Sequence, residues 1–150
     1  MTNQGLKELY NRLIAEGCNR FYIDGIGGPH NDDVECLGFQ NGEWLVYYTE
    51  RGQVGHVLFR SDDQQKAIDY YYRHVMSIEH WHLAVMTRSK EVVNEVRQKL
   101  EKRLIKTIQN DIPSYSKQGD VVFRLFVTGK DVFQLDKVLD EVPLCDPELK

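Results

Sequence analysis

Nothing in these 150 residues approaches the run of roughly 20 apolar side chains that a membrane-spanning helix requires. Residues 1–17 alternate polar side chains with Leu6, Leu9, Tyr10, Leu13 and Ile14, and so lack the unbroken apolar stretch of a secretory signal. Cysteine is scarce too. Cys18, Cys36 and Cys145 are odd in number, far apart and in no C-x-x-C pair, which argues against a disulfide framework or a local zinc clamp and for a reducing compartment. The expected address is the cytoplasm. Motifs that carry catalysis are absent as well: there is no H-E-x-x-H, no G-x-S-x-G, no P-loop, and Gly25 to Gly28 falls short of G-x-G-x-x-G. The reading is therefore of a protein without cofactor and not of an enzyme.

What is present is the composition of a globular domain, with 41% hydrophobic and 28% charged residues and no repeat or low-complexity segment. Leu6, Leu9, Tyr10, Leu13 and Ile14 recur at helical spacing, and Gly17 supplies a stop, giving helix one over 3–16. A short extended piece at Phe21 to Ile23 leads into a loop over Gly25 to Asn31. Three β-rich runs follow, Val34 to Phe39, Trp44 to Thr49 and His56 to Arg60. Asn41-Gly42 and Arg51-Gly52 turn them into an antiparallel meander. Ser61-Asp62-Asp63-Gln64 reads as a capping box that opens helix two at Asp62, with Ala67, Ile68, Tyr71, Tyr72 and Val75 on its apolar face. The remainder alternates as β-α-β-α. His82 to Thr87 is a strand, and a long helix carries Val92, Val93, Val96, Leu100, Leu104 and Ile108. Val121 to Thr128 is a second strand, and Val132, Leu135, Val138 and Leu139 mark a last helix. The two strands are expected in one sheet with the long helix across a face. The fold class is α+β, a single domain over 1–150 with a seam between 1–77 and 78–142 and a loose tail over 143–150.

Charge is the most informative feature. From Phe21 to Glu50 there are Asp24, Asp32, Asp33, Glu35, Glu43 and Glu50 and not one Lys or Arg. From Arg88 to Lys106 seven basic residues face only Glu91, Glu95 and Glu101. An all-negative loop and hairpin suits a cationic partner and speeds the encounter with it. The basic segment, diluted by pairs such as Glu95 to Lys99, reads as an exposed helix in a chain of pI near 5.7. His80 and His82 flank Trp81 on one strand face and would need His30, His56, His74 or a distant acid to complete a metal site, so a structural role is the simpler reading. Asp32, Asp33 and Glu35 have the residue types of an acid/base pair, but no nucleophile or phosphate motif accompanies them. Tyr70-Tyr71-Tyr72 spans half a helical turn, so one ring must point off the core face, either across the neighbouring sheet or outward as an interface anchor.

The run Trp44-Leu45-Val46-Tyr47-Tyr48-Thr49-Glu50-Arg51-Gly52, then Val57-Leu58-Phe59-Arg60-Ser61-Asp62 and Ala67-Ile68-Asp69-Tyr70-Tyr71-Tyr72, resembles the strand, turn and capped helix of bacterial immunity proteins from polymorphic toxin and contact-dependent growth inhibition systems. The likeness covers Asp33 to Val75, somewhat under a third of the chain, and the β-α-β-α half has no part in it. It implies a cytoplasmic protein that binds and neutralises the C-terminal domain of a delivered toxin, often a nuclease. Contact residues in such proteins vary with the toxin, so the resemblance assigns none here. The residues themselves supply the candidates: Asp32, Asp33, Glu35, Glu43, Glu50, Asp62 and Asp63 for charge, and Trp44, Tyr48 and Tyr70 as anchors, with no nucleic acid and no membrane as partner. Two other readings stand beside it. One is a metal-dependent enzyme around His80, His82 and the acids. The other is a nucleic-acid-binding module built on the Arg88 to Lys106 helix.

Overall fold

A computed structural model describes residues 3–30 and 32–149, so Asn31 of the expected loop and Lys150 of the expected tail lie outside it. The fold is α+β, and the chain divides into two compact units, 1–80 and 81–150.

In the first unit, helix α1 (Gln4–Ala15) buries Leu6, Leu9 and Leu13. It ends because Gly17, at φ 77°, lets the Cys18 N–H reach Leu13 O and the Gly17 N–H reach Ile14 O, which closes the helix with paired capping bonds. Strands β1 (Tyr22–Ile23), β2 (Val34–Gln40), β3 (Glu43–Glu50) and β4 (Gln53–Ser61) lie in that order in one sheet, β2 to β4 as the expected meander. Asn41 and Gly42 (φ 52° and 81°) and Arg51 and Gly52 (φ 52° and 79°) form the two-residue turns, both central residues of each in the left-handed region that a type I′ turn demands. The extended piece at Phe21 to Ile23 becomes β1, parallel to β2. Helix α2 (Gln64–Met76) starts later than the capping box suggests. Asp63 is the N-cap, its carboxylate accepting from the Gln65 and Lys66 N–H groups, whereas the Ser61 hydroxyl accepts only from the Asp63 N–H. A carboxylate that takes two orphan donors displaces a hydroxyl that would take one.

Strand parity then sets the faces. Leu37, Val46 and Trp44 join Leu6, Leu9, Leu13, Ala67, Ile68, Tyr71 and Val75 in the core between sheet and helices. Val34, Cys36, Leu45 and Tyr47 cluster on the opposite face. Tyr71 is the central polar bolt. Fully buried, its hydroxyl accepts from the Tyr22 N–H at 3.0 Å and sits 2.5 Å from Glu35 O and 3.1 Å from Tyr22 O, so it ties α2 to β1 and β2 at once.

The second unit contains β5 (Trp81–Thr87), α3 (Lys90–Glu101), β6 (Ile108–Gln109), β7 (Phe123–Thr128), a 3-10 helix (Gly129–Lys137) and β8 (Leu144–Cys145). Its sheet runs β6-β7-β5-β8, with β5 and β7 antiparallel neighbours and β8 parallel to β5. The arrangement follows a split β-α-β order. Val85, Leu125 and Val127 meet Val93, Val96 and Leu100 of α3.

Three expectations are corrected here. Helix α3 does not carry Leu104 or Ile108: Leu104 takes φ 63° and is 95% exposed, and Ile108 belongs to β6. The last helix is 3-10, because Val132, Leu135 and Val138 repeat every three residues, the spacing that stacks in a three-per-turn helix. The segment expected as a loose tail is built into the unit through β8 and the buried Leu149.

Candidate functional site: an acidic corner of the first sheet

Because side chains alternate across a strand, Glu35, Tyr48 and Glu50 share the helix-bearing side of the sheet, and the pairings Glu35 to Tyr48 and Val34 to Thr49 hold them at one end of it, where Asp33, just before β2, accepts from the Arg51 N–H at 3.2 Å. Desolvation, then the carboxylates of Asp33 and Glu50, push the Tyr48 hydroxyl above its ordinary pKa. Arg20 pulls the other way and Glu35 adds a smaller push. The Tyr48 ring lies against His56, centroids 5.6 Å apart. Asp32, the residue before Asp33 in the chain, is exposed.

Helix α2 closes the corner. Phe59, Tyr70 and His74 stack nearly parallel, at 4.4 Å and 11° and then at 6.2 Å and 5°. His74 Nε2 stands 3.6 Å from Glu35 Oε1, within ion-pair reach but too far for a hydrogen bond. Among the described residues Glu35 Oε2 and His74 Nε2 are buried without a hydrogen-bond partner, on side chains that are themselves only 20% and 22% exposed. A cleft of about 380 Å³ opens on Tyr70, Arg73 and His74, and one of about 510 Å³ lies along Glu50, Arg51, Gln53, Val54 and Gly55. A carboxylate oxygen short of donors can still accept a hydrogen bond, and aromatic faces attract cations.

The other expected anchors lie elsewhere. Glu43, Asp62 and Asp63 belong to the opposite end, since Trp44 pairs with Ser61, and the eight residues of β3 set the two ends about 24 Å apart. There Glu43 binds Arg60 at 2.7 Å and Asp63 caps α2. Trp44 is 5% exposed in the core, so its indole presents no surface to a partner. Asp24, also from the acidic stretch, accepts the Tyr47 hydroxyl at 2.6 Å. The seven acids and three anchors therefore reduce to Asp32, Asp33, Glu35, Tyr48, Glu50 and Tyr70 around one corner. Sequence reasoning missed His74, Phe59 and His56 in it. The period-four spacing from Tyr70 to His74 was the available signal for one of them.

The alternative sites are placed as follows. His80 is buried, its Nε2 2.9 Å from Val75 O and its Nδ1 3.2 Å from the Asn19 N–H, so it fastens the end of α2 to the segment after α1. Among the described residues no three His, Cys, Asp or Glu side chains are grouped to hold a metal ion. Arg88 precedes α3 and is bound to Asp120 at 2.6 Å and Glu148 at 2.9 Å, and with α3 ending at Glu101 the Arg88 to Lys106 residues do not form one helical face. No helix among the described residues is long and apolar enough to cross a membrane. No family model, curated protein or solved structure matches the chain.

Proposed function

We propose that this chain is an immunity protein that neutralises a cognate toxin domain, a nuclease by preference, by docking a cationic surface of the toxin on the acidic corner of its first unit. The observation that carries this is the Glu35 carboxylate, turned toward α2 with one buried oxygen lacking a donor among the described residues, beside the Phe59–Tyr70–His74 stack. A lysine or arginine from the partner completes that carboxylate and lies on the rings, while Asp32, Asp33 and Glu50 steer the approach. The first unit has the charge for this role, with twelve Asp and Glu against seven Lys and Arg in 1–80. A nuclease needs a basic cleft for its substrate, so an acidic inhibitor meets it by charge. The resemblance of Asp33 to Val75 to immunity proteins supports the same assignment.

Co-expression with the product of the neighbouring upstream reading frame tests it. Growth arrest should be relieved and a complex should co-purify. Asp32→Lys with Glu50→Lys should slow association several-fold at low salt, and Glu35→Gln should raise the dissociation rate at least tenfold. Toxicity that persists, or an affinity indifferent to all three changes, defeats the assignment.

A further inference from the structure

The face of the second sheet that points away from α3 is lined by aromatic and aliphatic side chains. Leu125 and Val127 face α3, so Arg124, Phe126 and Thr128 alternate to the other side. Pairing brings Trp81 opposite Thr128, Leu83 and Ile108 opposite Phe126, and Met86 opposite Arg124, all on that side. Trp81 and Phe126 sit on the two central strands with ring centroids 5.3 Å apart and planes inclined by 45°. Trp81 is 38% exposed and Phe126 half-buried. Arg124 lies 5.4 Å from the Phe126 ring, and its orientation is fixed by bonds from Nε to Asn110 O at 2.9 Å and from an Nη to Asn110 Oδ1 at 3.0 Å.

We infer that this face is a stacking platform for single-stranded nucleic acid, with Trp81 and Phe126 each receiving a base and Arg124 the adjoining base or phosphate. A four-stranded sheet with aromatic rings on its two central strands, opposite its helix, is a geometry that presents π faces to splayed bases. A guanidinium held beside one ring adds a plane that stacks as well as a charge. Residues 81–150 hold twelve Lys and Arg against eleven Asp and Glu, so the acidity that argues against nucleic acid for the whole chain belongs to residues 1–80. The platform is independent of the acidic corner and of the immunity assignment.

Intrinsic fluorescence reads it directly, because the only two tryptophans are the buried Trp44 and the exposed Trp81. Titration of the full chain at low salt with oligouridylate and with oligothymidylate should quench Trp81. Tighter binding of the first assigns an RNA strand and of the second a DNA strand, and either supports the platform. Trp81→Leu and Phe126→Leu keep an apolar group on the sheet but remove a π face, and each should weaken binding by about 5- to 150-fold in an anisotropy assay. Trp81→Phe should keep most of the affinity. Absence of quenching by both strands, unchanged affinity in both Leu variants, or equal quenching by inorganic polyphosphate overturns the inference.

Discussion

Replacing Tyr71 by Phe removes one oxygen from the centre of the first unit and nothing else. The ring is fully buried and stays, so the transfer free energy of the side chain is unchanged. What goes is the acceptor for the Tyr22 N–H and the donor shared between Glu35 O and Tyr22 O. Two net hydrogen bonds are worth about 1 kcal/mol each, and an orphaned buried donor costs about 1–3 kcal/mol, so the loss should be about 2–3 kcal/mol. With a urea slope of about 1 kcal/mol/M for a unit of this size, the midpoint should fall by about 2 M or more. The measurement belongs in a Trp81→Phe background, where Trp44 in the core of the first unit is the sole fluorophore and reports that unit alone. Tyr72→Phe is the matched control: its ring, with Arg12 3.9 Å above it, is kept, and the stability should change by less than about 0.5 kcal/mol. Equal midpoints for Tyr71→Phe and the control would refute the idea that one hydroxyl bolts α2 to β1 and β2.

Three further outcomes are expected. Asp63→Ala should cost about 1 kcal/mol in thermal or urea unfolding and Ser61→Ala less than half of that, since Asp63 receives the two N–H groups of α2; the reverse order would restore Ser61 as the cap. Leu104→Gly should stabilise the second unit by about 0.5–1 kcal/mol by relieving a left-handed residue with no packing to lose, whereas a core position would cost about 2 kcal/mol or more on the same change. The Ser116 hydroxyl, then Arg88, lower the Asp120 pKa to about 2. A depressed acid stabilises above the unfolded value near 4, and that contribution is lost as the pH falls toward 2. The melting temperature should therefore drop across pH 4 to 2, and less steeply in Asp120→Asn; identical slopes would separate Asp120 from the acid transition.

The helix ends show what a sequence exposes and what it hides. Helix α1 and helix α3 close with the same bonds. Cys18 N–H to Leu13 O and Gly17 N–H to Ile14 O in the first correspond to Ile105 N–H to Leu100 O and Leu104 N–H to Glu101 O in the second. In the first the left-handed residue is Gly17, which announces itself. In the second it is Leu104, whose spacing continues the apolar stripe and so reads as more helix. What holds the second closure is Ile105, buried against the same core as Leu100. Local signals of this kind gave the meander, both two-residue turns and the apolar faces of α1 and α2. The parallel pairing of β1 with β2 and of β8 with β5 rests on contacts between distant segments that no local pattern records. The candidate site divides the same way. Tyr48, Asp33 and Glu50 are visible as residue types, but which carboxylates share a corner depends on strand parity, and parity sends Glu35 toward α2 and leaves Glu43 with Arg60.

Departures from the rules of folding are worth weighing by what surrounds them. Leu104 is strained, but it is exposed, so its strain records only how α3 stops. Glu35 is different. It occupies a position on β2 whose neighbour on the same face, Leu37, is wholly buried, and a valine there would pack on α2 without the expense of desolvating a carboxylate. Among the described residues the chain keeps an acid with an unserved oxygen at that point, 3.6 Å from the His74 ring nitrogen at the end of a stack of three rings. Among the described residues that oxygen receives no hydrogen bond and only the His74 imidazole stands within ion-pair reach of the carboxylate, which is why the proposed docking of a cationic partner is placed here.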